Sequence, residues 1–148
     1  MTVQLKLLII CILLAFLPIT GKAIETVSID KKLQWNDLSP EIPKSGISPD
    51  FIDAYRDAAH GNLPLFVHKQ PLKEFSAISK VSWGLQEETN LNSQLLSPED
   101  RELLNGDWEV NASVTDGQGK PYLVVTILPI RNQFPGNFTR LLSIKLQI

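Results

Sequence analysis

His60 and His68 are the only imidazoles in the 148-residue chain, eight positions apart. A zinc centre needs three or four ligands at set spacing, and neither an HExxH run nor a cysteine-rich pattern accompanies this pair. His60 closes a predicted helix, where an imidazolium suits the negative pole of the dipole. His68, beside Lys69, is expected at a strand end on the surface. Glu99, Asp100 and Glu102 form the densest carboxylate group, and two of them at the right separation would make an acid and base pair. All three, however, follow Ser97-Pro98 in the first turn of a capped helix, so a solvated N-terminal turn accounts for them. Glu87 and Glu88 sit in a polar stretch read as a solvated loop. Ser113 and Ser143 have no GxSxG context, and no P-loop or GxGxxG is present. The expected site assignment is therefore empty: no catalytic residue, no cofactor-binding residue and no metal ligand.

Three tryptophans remain, Trp35, Trp83 and Trp108. A row of indoles can stack on sugar rings, but each lies in or beside an alternating apolar pattern, which predicts packing between sheets. Asn111-Ala112-Ser113 and Asn137-Phe138-Thr139 match the glycosylation sequon, which has meaning only in a eukaryotic source.

The amino terminus has a separate role. Lys6 precedes an uncharged apolar run over 7–17, about 16 Å long as a helix, against roughly 30 Å for a bilayer core. Pro18 ends the run, and Gly21 and Ala23 supply the small residues a signal peptidase accepts. A signal peptide over 1–23 is expected, with the mature domain spanning 24–148. The leader predicts export from the cytoplasm. Cys11, the only cysteine, leaves with that leader, so the mature domain has neither a disulfide nor a thiolate nucleophile. The formal net charge is −2, and loss of Lys6 and Lys22 takes it to −4. Nucleic acid is excluded as a partner on that balance, and no transmembrane segment follows the leader.

The mature sequence reads as mainly β, a sandwich-like antiparallel domain with two short helices. Residues 25–33 alternate as a first strand leading to Trp35, and 36–48 form a polar loop. Ser48-Pro49-Asp50 and Gly61 bracket a predicted helix over 49–60. Extended segments follow at 63–67 and 75–85, then the second capped helix from Ser97 to Asn105-Gly106. Residues 108–114 and 122–130 form a hairpin about Asp116-Gly117-Gln118-Gly119. The near-continuous apolar run in its second arm predicts a strand covered on both faces. Phe134-Pro135-Gly136-Asn137 turns the chain into a final strand over 141–148, expected near a sheet edge with Leu142, Ile144, Leu146 and Ile148 on one face. An open edge of that kind would self-associate or need a following segment to cover it.

Leu33-Gln34-Trp35, Leu63-Pro64-Leu65-Phe66, Gly119 through Ile130 and Phe138 through Ile148 together resemble the amino-terminal region of the gingipain-like C25 cysteine peptidases that serve as sortases of the type IX secretion system. The resemblance spans most of 25–148 and rests on the order of strand patterns. It implies an exported, non-catalytic β-rich domain that precedes a peptidase domain, in the periplasm or at the outer membrane or cell surface of a Gram-negative bacterium. Its partners would be that downstream peptidase domain or outer-membrane secretion components. The family's catalytic cysteine and histidine belong to the peptidase domain, so none is carried over. The chain would then be a fragment of a longer protein. The alternative is a free-standing secreted β-sandwich module that binds glycan or protein.

Overall fold

The computed structural model describes residues 25–38, 48–78 and 80–148. The leader and most of the 36–48 loop therefore lie outside the described residues. The strands are β1 (Ser28–Lys32), β2 (Phe66–Pro71), β3 (Ser82–Trp83), β4 (Glu88–Asn90), β5 (Glu109–Asp116), β6 (Pro121–Leu128), β7 (Ile130–Phe134), β8 (Asn137–Leu141) and β9 (Ser143–Gln147). One α-helix, α1 (Pro98–Glu102), and short 3-10 turns complete the described elements. The strands form three antiparallel sheets, ordered β1-β9-β3, β2-β6-β5 and β4-β8-β7. The chain is mainly β, as its alternating patterns predict.

Local signals explain the hairpin. Gln118 and Gly119 both have positive φ, 59° and 79°, and sit between Gly117 and Lys120, whose backbones bond to each other. That is the two-residue turn whose twist matches the flanking strands, and the Asp116 carboxylate accepts from the Gly119 N–H at 2.6 Å. β6 then buries every second residue, with Leu123, Val125 and Ile127 at 1% exposure or less, while Tyr122, Val124 and Thr126 stay half-exposed. The expectation of a strand covered on both faces is thus corrected. The β-branched run serves strand propensity on its outer face as well as burial on its inner one.

Pro129 and Leu142 mark the two places where the chain changes sheets. β6 ends before Pro129, and β7 starts in the third sheet; β8 ends before Leu142, and β9 starts in the first. The Pro129 carbonyl accepts from the Leu141 N–H at 2.9 Å, which ties the two corners together. β6, β8 and β9 are the middle strands of their three sheets. Their inward residues meet in one core with Trp35, Phe51, Leu63 and Leu65. Trp35 donates its indole N–H to the Leu141 carbonyl at 2.7 Å and packs edge-on against Phe51.

Two further expectations are overturned. The final strand is not at an edge: β9 pairs with β1 on one side and β3 on the other, and Ile144 is fully buried. The face proposed for self-association is core. The helix over 49–60 does not form either. Phe51 bridges to Trp35 and Tyr55 to Leu65, and only Ala58–His60 makes a 3-10 turn, capped by Asp57. Phe51 and Tyr55 have the four-residue spacing of one helical face, but each is bridged to a segment outside 49–60, and those pairings replace intrahelical bonds. The strand read at 75–85 shrinks to β3, and the extended segment read at 63–67 runs on as β2 to Pro71.

Candidate functional site

The predicted second helix is present as α1, and its cap is the one the sequence announces: the Ser97 hydroxyl accepts from the Asp100 N–H at 3.0 Å. The carboxylates on it separate by role. Glu99 and Glu102 are exposed, whereas Asp100 is 3% exposed and accepts from the Asn62 N–H at 3.1 Å. The solvated turn expected for all three is corrected for Asp100, which fastens α1 to the 61–62 turn. Gly61, at φ 60°, belongs to the same contact, since a Cβ there would lie 2.8 Å from the Asp100 carboxylate.

His60 stands between two carboxylates on separate elements. Its Nδ1 is 2.7 Å from Asp57 Oδ1 and its Nε2 3.0 Å from Glu109 Oε1 on β5. Ionised carboxylate oxygens only accept, so both contacts are satisfied together when both ring nitrogens donate, which favours the imidazolium. The bond to Glu109, opposed by partial burial and reinforced by Asp57, raises the His60 pKa above 6.5. The bond from His60 in turn lowers that of Asp57 below 3.8. A base needs a free lone pair, and neither ring nitrogen has one here. His60 is an electrostatic clasp between the 57–60 turn and β5.

The other candidates disperse. His68 on β2 contacts Gln70 at 3.2 Å. The Ser143 hydroxyl is buried and accepts from the Glu87 N–H at 3.1 Å, and Ser113 is exposed on β5. Glu88 is on β4, bonded through both oxygens to Arg131 at 3.2 and 2.9 Å, which corrects the solvated loop read at that position. Arg131 also covers the ring of Trp108 at 4.3 Å. Trp35 is core, and Trp83 lines a shallow groove of about 320 Å³ with Gly84 and Lys145. Among the described residues no three His, Cys, Asp or Glu side chains are grouped as a ligand set, and no helix is long and apolar enough to cross a membrane.

A buried cation has no counterpart in the sequence reading. Arg140 on β8 is 3% exposed, bonds Asp37 at 2.6 Å and lies 4.9 Å over the Trp35 ring. Its Nε has no hydrogen-bond partner. The sequence signal was faint: Arg140 sits between Thr139 and the apolar Leu141-Leu142, and Asp37 is 103 positions away.

A cleft of about 380 Å³ lies between β1 and β2. Each strand is the outermost of its sheet. Ile29, Leu33 and Phe66 line it from the buried side, and Asp30, Val67 and Lys69 from the exposed rim. Ile52 and Asp53 also line it. It offers apolar surface, charges of both signs and strand backbone.

No family model, no curated protein and no solved structure matches this chain.

Proposed function

We propose that the chain is an exported, non-catalytic binding domain, accessory to a gingipain-like cysteine peptidase of the type IX sortase kind. What carries the binding role is the cleft between the outermost strands of two sheets, which offers surface for recognition. The segments that resemble the sortase family, 119–130 and 138–148, contribute to the middle strands β6, β8 and β9. They belong to the scaffold that holds the cleft's walls, while Leu33 and Phe66, from the two other resembling segments, line the cleft itself. The peptidase domain or an outer-membrane secretion component is the partner class under this reading.

A second reading, a free-standing binding module for glycan or protein, gains from β9. The open final edge that would have called for a covering segment is paired on both sides. Two measurements separate the readings. One is the encoding reading frame past codon 148, where an in-frame cysteine peptidase supports the accessory role. The other is co-elution and calorimetry of this chain with the peptidase domain of a type IX sortase. No in-frame or adjacent peptidase gene, together with no binding, sinks the first reading and leaves the module.

A further inference from the structure

The hydrogen-bond parity of β1 and β2 shows what the cleft is built to hold. Val27 and Ile148 exchange both backbone bonds at 2.9 Å, and the Leu33 N–H reaches the Leu142 carbonyl at 2.9 Å. Bonding alternates along an antiparallel pair, so in the observed register Ile29 and Lys31 also bond β9. Ser28, Asp30 and Lys32 therefore turn their N–H and C=O groups away from β9, off the sheet edge.

The same count applies to β2. The Leu72 N–H bonds the Pro121 carbonyl at 2.9 Å, which places Gln70, His68 and Phe66 in the set facing β6. Val67 and Lys69 point the other way, on the same side as Leu65. Leu65 itself exchanges both bonds with Tyr55, at 2.7 and 2.8 Å. Among the described residues, two edges whose outward backbone groups bond no other strand thus flank one cleft, at Ser28–Asp30 and at Val67–Lys69.

At one end the chain itself bridges the two walls. Residues 50–55 occupy the adjoining stretch and bond both walls, Asp50 and Ile52 to the continuation of β1 through Asn36 and Gln34 and Tyr55 to Leu65, with a Phe51–Ala54 turn and Asp53 at φ 65° between the two contacts. Beyond that segment the cleft remains. The occupant must offer donors and acceptors on both sides, as an isolated extended segment does. The edge strand of a folded second copy, such as β5, already spends one side on β6 and meets only one wall.

We infer that the cleft between β1 and β2 accepts a single extended segment of a partner protein, which joins the β1-β9-β3 and β2-β6-β5 sheets by hydrogen bonds to both edges. This rests on the binding role proposed above for the same surface. Ile29, Leu33 and Phe66 face inward and Asp30, Val67 and Lys69 outward, so the segment is alternating, with apolar residues on its inner face.

The test uses the whole exported chain and random linear nine-residue peptides displayed for selection. Enriched peptides are expected to alternate apolar with polar residues. Asp30→Pro and Val67→Pro each remove one N–H aimed into the cleft and none that serves β9 or β6, so each is expected to weaken binding about tenfold while leaving the thermal melt cooperative. N-methylation of alternate peptide residues, which needs no protein variant, is expected to abolish binding. The inference is overturned by the absence of enriched peptides. It is equally overturned by peptides indifferent to N-methylation, or by self-association in sedimentation that the proline substitutions relieve. If the sortase peptidase domain binds and both proline variants bind it equally well, the strand-acceptor site fails while the accessory role stands.

Discussion

Asp37→Ala should destabilise the protein by about 2–3 kcal/mol, and the reason is the position of Arg140. The Arg140 side chain is 4% exposed and its Nη1 bonds Asp37 at 2.6 Å. Loss of one partner of a buried pair strands the other charge, at roughly 3–5 kcal/mol when no water can reach it. Asp37 is 16% exposed, so water can partly replace the missing carboxylate, which brings the cost to or just below the lower end of that range. Arg140→Met should cost a similar amount, since it strands Asp37 but keeps an unbranched, polarisable chain over the Trp35 ring. The double variant removes both charges and should recover to within about 1 kcal/mol of the wild type, because desolvation nearly offsets the attraction in a buried pair. Urea unfolding at pH 7 measures all four proteins, and the m-values show whether they share one transition. The cycle should give a coupling of about 2 kcal/mol or more. Costs that simply add, with coupling under about 0.5 kcal/mol, would falsify the assignment of Arg140 and Asp37 as a pair that must be kept or removed together.

The His60 clasp should show in pH dependence. Because His60 has a folded pKa above its ordinary 6.5, its contribution is fully present below that value and fades as pH rises through the folded one. Asp57, depressed below 3.8, loses its contribution only as pH falls through its lower folded value. The melting temperature of the wild type should therefore exceed that of His60→Gln most near about pH 5 and least in alkaline buffer; a constant difference across that range would contradict the clasp. Ile144→Ala, at a fully buried position in the middle strand of the first sheet, should cost about 2–5 kcal/mol, measured by chemical unfolding. A cost under about 0.5 kcal/mol would place the side chain outside the core. Export through a bacterial secretion pathway should yield a chain beginning at Ile24, read by intact mass, and a secreted product retaining residues 1–23 would refute the leader reading.

The elements that neighbouring residues decide were legible in the sequence. Ser97 and Pro98 announced α1 because a cap and its first turn lie within three positions. Asp116 to Gly119 announced the hairpin because the turn needs positive φ at two adjacent residues. Alternation located β1 and β5, since a strand's faces follow from its pleat. Pairing partners were not legible, because they depend on which distant backbone closes on each segment. Ser48-Pro49 carries helix-start signals, yet Trp35 and Leu65 pair with Phe51 and Tyr55, and neither pairing leaves a mark near residue 50. The same holds for β9, whose central place is set by β1 more than a hundred residues earlier, and for Arg140 with Asp37. His60 looked like the end of a helix and became a clasp only when the fold brought Glu109, 49 positions away, to its free nitrogen. The cleft is the extreme case: a sheet edge is defined by which strand is not beside it, and a chain's own residues cannot state that until every pairing in the tertiary structure is made.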